Sequence, residues 1–288
     1  MISRWIKKNT VSLSGKSVAI SGATGGIGSE LCFYLASLGA SLVLLDRNIE
    51  KSHALADRIR EKQENTVISH IKVDMEKTDE VKAAARSLCE MGIDYLILNA
   101  GAYSIPRHKC ESGYDNVFQI NFISPYYLAK KLLPVLKKRG GKAVVVSSIA
   151  HNYSKSDPND VDFSKRAKAS LVYGNAKRYL TFSLCETEGV VVAHPGISFT
   201  GITAHYKKWI YAIIKNPMKL IFMKPKKACL SILYALFTDC DKGTWIGPRL
   251  FNIWGSPKKK RLRSYRKTEA DTIRATADQI FESLDSAK

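Results

Sequence analysis

Hydrophobic positions along the chain form short apolar runs, each followed by a turn and then by a longer stretch with helical periodicity. Runs of this length are typical of buried strands. The runs cover residues 17–20, 41–45, 67–73, 95–98, 143–146, 190–193 and, more weakly, 244–246. Because strand and helix patterns alternate, the sequence predicts a parallel sheet of about seven strands joined by crossover helices.

Helical periodicity fills the segments between these strands. We predict helices over residues 27–38, 50–63, 79–90, 113–138 and 168–186, and a final amphipathic helix over 269–284 that packs on the sheet edge or on a partner subunit. Strands that are apolar on both faces need helices on both sides, so the predicted fold class is α/β, a doubly wound Rossmann sheet in one domain, residues 1–288. Ligands of such sheets bind at the carboxyl ends of the strands.

Composition and charge narrow the classes of function. The 288 residues are 45% hydrophobic, which excludes disorder as the main state, and 45 Lys+Arg against 26 Asp+Glu give a net charge of +19. This charge predicts attraction to phosphorylated cofactors, anionic membranes or nucleic acid. The six cysteines show neither CxxC motifs nor metal-ligand spacing, so we expect reduced thiols, a cytoplasmic protein and no metal site.

Targeting and membrane-spanning segments are not predicted. Residues 1–10 are too polar for a secretory leader. The longest apolar windows, 209–214 and 228–237, are far shorter than the roughly 18 residues that a membrane span needs.

A glycine-rich turn follows the first predicted strand and leads into a helix. Its glycines, Gly22, Gly26 and Gly28, follow a GxxxGxG spacing, and Leu31 occupies the place of the third glycine of the GxGxxG dinucleotide fingerprint. Glycines here let the backbone approach a pyrophosphate bound at the helix N-terminus. A plain strand-to-helix turn is the alternative, but an acid at the end of the next strand favours dinucleotide binding.

That acid is Asp46, which is placed to accept hydrogen bonds from an adenosine ribose and to repel a 2′-phosphate, and this favours NAD. Arg47 can pair with a 2′-phosphate, so NADP stays an alternative unless Arg47 is merely a solvated loop residue.

Asp74 either contacts an adenine amino group or caps the next helix. The sequence 99–101, Asn-Ala-Gly, leaves room for a flat ring or forms a simple turn.

Tyr173 and Lys177 are four residues apart in a predicted helix, so their side chains share one face. An ammonium near a phenol is expected to lower the phenol pKa. Ser148 ends the fifth strand, where its hydroxyl can hydrogen-bond a substrate carbonyl, unless it serves only as a turn residue.

Together these residues resemble the short-chain dehydrogenase/reductase family, nearest to its retinol-dehydrogenase-like and lipid-metabolising members. The similarity extends from Gly22 to Thr200, about two thirds of the chain, and includes the 25-residue interval between Ser148 and Tyr173 that is familiar in the retinol-dehydrogenase-like branch. The motifs are the glycine turn, Asp74, Asn99-Ala100-Gly101, Asn121 within Gln119-Ile120-Asn121-Phe122, Val146-Ser147-Ser148, Tyr173-Gly174-Asn175-Ala176-Lys177, and His194-Pro195-Gly196 with Thr200.

The resemblance implies a role for each of four residues. Tyr173 would be the general acid/base, Lys177 would hold the nicotinamide ribose and depress the Tyr173 pKa, Ser148 would orient the substrate oxygen, and Asn121 would keep a water in a proton relay. The implied cofactor contacts are Gly22, Thr24, Gly25, Gly26, Ile27, Gly28, Asp46, Arg47, Asp74, Met75, Asn99, Ala100, Gly101, Tyr173, Lys177, Pro195, Gly196, Ile197 and Thr200.

The resemblance also assigns residues 199–237 to a substrate lid. Its aromatic and aliphatic residues favour a bulky apolar substrate such as a steroid, retinoid or other lipid-like molecule, and its lysines suit peripheral contact with an anionic membrane or a solvated face. Family members often form homo-oligomers through two long helices, here 113–138 and 168–186. The segment 257–288 comprises a basic run, 257–267, and the last helix; the run lacks a nucleic-acid recognition pattern and is interpreted as a solvated tail.

The sequence therefore predicts an NAD(P)-dependent oxidoreductase that moves a hydride between nicotinamide and a carbonyl or secondary alcohol. The alternatives are an epimerase or dehydratase of the same fold, and a non-catalytic dinucleotide-binding or membrane-docking module. Because Asn121, Ser148, Tyr173 and Lys177 are all present, catalysis is favoured.

Overall fold

The computed structural model describes residues 2–197 and 223–286. Their strands form a single sheet in the order β3-β2-β1-β4-β5-β6-β7-β8. The strands are β1 Ser17–Ser21, β2 Ser41–Asp46, β3 Ile68–Lys72, β4 Tyr95–Leu98, β5 Lys142–Val146, β6 Val190–Ala193, β7 Thr244–Leu250 and β8 Trp254–Arg261. Strands β1 to β7 pair in parallel, which confirms the doubly wound fold.

The strand order reverses at β1, which lies between β2 and β4. Ser21, the last residue of β1, is paired with Leu45 on one side and with Leu98 on the other, so three strands end at the same level. Ligands of open α/β sheets bind in the crevice at such a switch point. The topology therefore places the glycine turn, which follows Ser21 directly, at the mouth of this crevice.

Helices cover both faces of the sheet. Along β4, Leu96 and Leu98 belong to one core cluster and Ile97 to the other, as the two-residue period of a strand requires. The helices span Ile2–Asn9, Gly26–Ser37, Ile49–Arg60, Thr78–Met91, Asn116–Phe118, Ser124–Lys138, Ala169–Leu184, Pro225–Ala228, Leu230–Leu236 and Lys267–Ser286, with a π-helical turn at Gln119–Ile123 and a 3₁₀ turn at Ile149–Asn152.

The structure adds an eighth strand to the predicted sheet. β8 pairs antiparallel with β7 and contains much of the basic run that the sequence assigned to a solvated tail, so that interpretation is wrong for residues 257–261. The strand was missed because an edge strand with a solvent-facing side needs no apolar run, and lysines are common on edges since they prevent pairing with other chains.

The C-terminal part of the predicted lid range lies in the core. Leu230, Leu233 and Leu236 are buried against the sheet, because the helix Leu230–Leu236 packs on β5, β6 and β7. Residues 198–222, including Thr200, lie outside the described part of the chain, and for them the lid stays a prediction. Within residues 2–197 and 223–286, the helices are too short or too polar to cross a bilayer.

The last helix, Lys267–Ser286, packs on its own chain, along Ala169–Leu184 and Ser124–Lys138. Tyr126 and Tyr127 donate hydrogen bonds to Asp278 (2.8 Å) and Asp285 (2.6 Å) of this helix. This position is on the outer side of two helices and not at the sheet edge, one of the two places expected from the sequence. Contact of this helix with a partner subunit, the other place, stays a prediction.

Candidate active site

The glycine turn has a backbone that side chains would obstruct. Gly22 has φ +65°, and a Cβ there would lie 3.0 Å from the Cα of Ala100. A Cβ at Gly28 would lie 2.3 Å from the carbonyl oxygen of Gly22. Both positions therefore require glycine, and the helix that begins at Gly26 points its N-terminal amides toward the switch point.

A cleft of about 440 Å³ opens in front of this turn. It brings together most of the residues expected to contact a dinucleotide. These are Gly22, Thr24, Gly25, Gly26, Ile27, Gly28, Asp46, Arg47, Asp74, Met75, Asn99, Ala100 and Gly101. The sequence missed Asn48, Lys51 and Ala102, which also line the cleft. Asn48 and Lys51 had a detectable signal, since they begin the helix that follows Asp46.

Asp46 is buried beneath the glycine turn, with 4% of its surface exposed. Its Oδ1 accepts hydrogen bonds from the backbone N (3.0 Å) and the hydroxyl (2.8 Å) of Thr24, and its Oδ2 accepts a longer one from Ser52 (3.4 Å). Burial raises the pKa of Asp46, although these hydrogen bonds act in the opposite direction. The carboxylate therefore ties the glycine turn to β2.

Arg47, by contrast, has 72% of its side chain exposed and lies 3.8 Å from Asp74. Asp74 accepts a hydrogen bond from the backbone N of Glu76 (3.0 Å), while the following helix begins at Thr78. Asp74 therefore stabilises the turn before the helix, without capping the helix itself.

Asn99 joins the end of β4 to the glycine turn. Its side-chain amide donates to the carbonyl oxygens of Ser21 (3.2 Å) and Gly22 (3.0 Å). The hydroxyl of Ser21 accepts hydrogen bonds from the backbone N of Asn99 and of Ala100, at 3.1 and 3.0 Å. These hydrogen bonds hold the residues after β4 against the glycine turn. Gly101 lies at the end of the cleft.

The four predicted catalytic residues converge beyond Gly101. The hydroxyl of Ser148 lies close enough to the phenol of Tyr173 to lower the pKa of that phenol. The Nζ of Lys177 donates to the carbonyl oxygen of Val146 (3.0 Å) and lies 5.7 Å from the centre of the Tyr173 ring. A Cβ on Gly101 would lie 2.8 Å from Oδ1 of Asn121 and 3.5 Å from Nζ of Lys177, so these groups border the cleft.

Asn121 sits in the π-helical turn Gln119–Ile123. Such turns often occur at functional sites, because the extra residue re-aims a side chain. The amide of Asn121 donates to the carbonyl oxygens of Ala102 and Val117, both at 2.8 Å, and accepts from the backbone N of Ala102 at 3.2 Å. Its side chain thereby holds the loop after Gly101, while the water-holding role stays a prediction.

The expected lowering of the Tyr173 pKa is contradicted. Burial raises the pKa of the Tyr173 phenol to about 12, with the Ser148 hydrogen bond acting weakly in the other direction. Burial also lowers the pKa of the Lys177 ammonium to about 7. Burial is therefore the main cause of both shifts.

Three residues expected on the nicotinamide side follow β6. Pro195, Gly196 and Ile197 lie at the carboxyl end of this strand, outside the wall of the glycine cleft. Gly196 has φ +88°, and a Cβ there would lie 2.8 Å from the carbonyl oxygen of Ile253 in the β7–β8 turn. Ile197 accepts a hydrogen bond from the backbone N of Met223 (2.9 Å), which joins the two ends of segment 198–222.

A group of potential metal ligands lies beside the cleft, where the sequence predicted none. Donor atoms of Glu76, His108 and Cys110 lie within 4.8 Å of one another. Nε2 of His108 is 2.9 Å from a Glu76 carboxylate oxygen, and this contact accounts for their approach. Burial raises the pKa of Cys110 to about 11, so a metal ion would have to displace the thiol proton to bind the sulfur.

Comparison with known proteins agrees with this geometry. Residues 16–205 match the sequence profile of the short chain dehydrogenase family. Human retinol dehydrogenase 12 is 28% identical over 266 residues, which cover 85% of this chain and 84% of that protein. Among solved structures, a protein of Mycobacterium paratuberculosis has a TM-score of 0.70 with 22% identity and 96% coverage of both chains. L-Sorbose reductase from Gluconobacter frateurii, solved with NADPH and L-sorbose, has a TM-score of 0.62 with 18% identity, covering 88% of this chain and 99% of that one.

The fold, the glycine cleft and the family match define the class of protein. The chain belongs to the short-chain dehydrogenase family of NAD(P)-dependent oxidoreductases, and its resemblance to the retinol-dehydrogenase-like branch is confirmed by its similarity to retinol dehydrogenase 12.

Proposed function

We propose that this protein transfers a hydride between nicotinamide and a carbonyl or secondary alcohol, with Tyr173 as general acid/base. The observation that carries the proposal is the position of buried Lys177, whose Nζ lies 5.7 Å from the centre of the Tyr173 ring, with the Ser148 hydroxyl close enough to lower the pKa of the Tyr173 phenol. Tyr173 and Ser148 come from different elements, a helix and the end of β5. Their convergence supplies a proton donor and a second hydroxyl for one substrate oxygen.

The residues of this chain handle the proton. NAD(P)H, when bound, supplies the hydride for reduction, and NAD(P)⁺ accepts it in the reverse direction. In reduction, Tyr173 gives its phenolic proton to the carbonyl oxygen while Ser148 orients that oxygen. In oxidation, Tyr173 takes the proton of the alcohol, which Ser148 orients in the same way. Lys177, whose pKa burial lowers to about 7, exchanges protons near neutral pH and is placed next to Tyr173 to take part in returning the proton that reduction removes from it.

The exposed cations support NADP(H) as the cofactor, whereas the sequence pattern favours NAD. The Asp46 carboxylate is engaged by Thr24 and Ser52, whereas Arg47 and Lys51 are exposed and line the cleft. A guanidinium and an ammonium at this end of the cleft attract a 2′-phosphate. NAD(H) would instead need the shielded Asp46 carboxylate to reach a ribose hydroxyl.

A bulky apolar substrate is supported by the surroundings of Tyr173. The ring of Tyr103 packs edge-on against Tyr173 with 5.2 Å between centroids, and Tyr153, another nearby aromatic residue, is exposed. The similarity to retinol dehydrogenase 12 and the apolar residues in 199–222 point the same way. A steroid, retinoid or other lipid-like carbonyl fits such a wall.

The test is oxidation of NADPH and of NADH by the purified protein with steroid, retinoid and aliphatic carbonyls. We expect turnover that Tyr173→Phe reduces at least about a hundredfold, because the phenylalanine ring keeps the packing but has no proton to give. Tyr234→Phe is the matched control, since Tyr234 lies by Trp5 on the opposite core cluster. Full activity of Tyr173→Phe would refute the role of Tyr173, and tight cofactor binding without turnover would support a dinucleotide sensor.

A further inference from the structure

The β7–β8 hairpin ends in an apolar tip that projects into solvent. Phe251 is 82% exposed and Leu250 is 52% exposed, and Trp254 at the start of β8 is 38% exposed. Phe251 and Asn252 both have positive φ, +50° and +59°, so the reversal is tight and Phe251 lies at its outermost point. Apolar side chains that are exposed side by side, as these are, mark surfaces that contact other molecules.

Cations extend along the hairpin, from Arg249 beside the tip to Arg261, which pairs with Thr244 at the base. Arg249, Lys258, Arg261 and Arg263 are exposed, and within residues 2–197 and 223–286 they make no ion pair. Beside the hairpin lies a cavity of about 1270 Å³, lined by eight lysine and arginine residues and, among the described residues, by a single acid, Glu186. Lysines on an edge strand also prevent sheet-to-sheet pairing, but that role gives no reason for an exposed phenylalanine.

The tip lies next to both ends of segment 198–222. Nε2 of His194 is 3.0 Å from the carbonyl oxygen of Asn252, and Gly196 packs against Ile253. The hydrogen bond from Met223 to Ile197 holds the two ends of the segment at the same place. A surface that contacts the tip would therefore also lie close to both ends of this segment, which the sequence assigns to the lid.

We propose that the β7–β8 hairpin docks on an anionic lipid surface, with Leu250 and Phe251 entering the headgroup region and the exposed cations nearest the tip, Arg249 and Lys258, contacting lipid phosphates. Apolar side chains flanked by lysine and arginine are the combination that binds such surfaces. Lipid is favoured over nucleic acid because the most exposed part is a convex apolar turn, and a nucleic-acid site requires a basic groove or recognition element. Delivery of an apolar substrate from the lipid rests on the proposed function, whereas docking itself does not.

Vesicle flotation with the full chain tests the proposal. We expect binding to phosphatidylcholine vesicles that contain phosphatidylserine, weak binding to pure phosphatidylcholine, and release at high salt. Phe251→Ser should raise the lipid concentration for half-maximal binding by about tenfold, since it removes most of the inserted apolar surface. Removing the two exposed charges nearest the tip, with Arg249→Gln and Lys258→Gln together, should have a similar effect.

Two control variants match these changes. Val67→Ser alters an apolar residue that is 64% exposed far from the hairpin in sequence, and Arg86→Gln with Lys138→Gln removes two exposed charges from other helices. The proposal is overturned if the wild type ignores anionic vesicles at low salt, if Phe251→Ser binds as the wild type does, or if the protein binds an oligonucleotide but no vesicle. Turnover of a water-soluble carbonyl, unchanged in Phe251→Ser, separates this outcome from a failure of the proposed function.

Discussion

At the scale of single residues, the site depends on close approaches that leave no room for larger side chains. Gly101 is the clearest case, because the space where its Cβ would stand is bordered by both Asn121 and Lys177. The sequence suggested that this glycine leaves room for a flat ring. The structure adds that it also lets Asn121 and Lys177, two candidate catalytic residues, lie at the end of the cleft. Asp46 was correctly placed in the cleft, but its hydrogen bonds to Thr24 come from packing that a sequence pattern does not contain.

Arg47 tests the cofactor preference. We expect Arg47→Gln to raise the KM for NADPH by about tenfold and to leave the KM for NADH nearly unchanged, because only NADPH carries the 2′-phosphate that the guanidinium pairs with. Steady-state kinetics with both cofactors measure this, with Arg58→Gln as the control for loss of an exposed charge. An equal effect on both cofactors, or a wild type that prefers NADH, would contradict the assignment to NADP(H).

Lys177 predicts a pH dependence of stability. Burial lowers its pKa in the folded protein to about 7 from an ordinary value of 10.5. Between these two values the unfolded chain holds more protons, so the free energy of unfolding rises with pH there, by at most about 1.4 kcal/mol per pH unit. Urea denaturation across this window should show that Lys177→Met, which has no such proton, loses this slope.

Lys138→Met, which alters an exposed lysine, is the control for this comparison and should keep the slope of the wild type. A Lys177→Met variant that also keeps it would show that the ammonium pKa is not lowered by burial.

At the scale of elements, long periodic helices and buried strands were predicted well, and elements stabilised by tertiary contacts were not. The helix Ala169–Leu184 was predicted as 168–186, and the strand Tyr95–Leu98 was predicted with its own bounds. The predicted helix 113–138 begins instead at Asn116 and contains the π-helical turn Gln119–Ile123. A π-helical turn keeps helical periodicity approximately, so the apolar pattern cannot reveal it.

The contact between Arg178 and Glu269 fixes the last helix in place. Arg178 donates two hydrogen bonds to the carboxylate, at 2.6 and 2.5 Å, and Glu269 also accepts from the backbone N and hydroxyl of Ser156. We expect Glu269→Gln to lower the free energy of unfolding by about 3 kcal/mol, because a buried guanidinium loses its counter-charge. Chemical denaturation measures this.

Glu282→Gln, in an exposed part of the same helix, should change stability by less than about 0.5 kcal/mol. Burial raises the pKa of Glu269, but its hydrogen bonds with Arg178 and Ser156 lower it overall. The stabilisation is therefore present above the ordinary glutamate pKa and is lost as the pH falls through the lowered value. Equal stability of Glu269→Gln and Glu282→Gln would show that this ion pair does not anchor the helix.

At the scale of the whole molecule, the last helix covers the two helices that the family resemblance assigned to assembly. Tyr126, Tyr127 and Lys130 of one, and Arg178 of the other, all contact side chains of Lys267–Ser286. A second copy that packed on these contact residues would have to displace this helix. We therefore predict that the protein does not form a homo-oligomer through them.

Light scattering after size-exclusion chromatography should accordingly give a particle near the chain mass of 32.1 kDa. A particle of twice that mass, with cross-links between the Ser124–Lys138 helices of two copies, would contradict the prediction. Cross-links confined to the β8 edge would not contradict the prediction about these two helices, since they would indicate assembly through a different surface.

The sequence by itself determined the alternation of strands and helices and the glycine turn, because periodicity and local backbone requirements are properties of neighbouring residues. The candidate catalytic residues came from the motifs that resemble a known family. Tertiary structure alone decided the burial of Asp46 and Lys177, the eighth strand, and the place of the last helix on its own chain. These features depend on which distant segments meet and on how much water is excluded where they do. The β7–β8 hairpin shows the difference clearly, since its basic residues were visible in the sequence but its exposed Phe251 could be recognised only after folding.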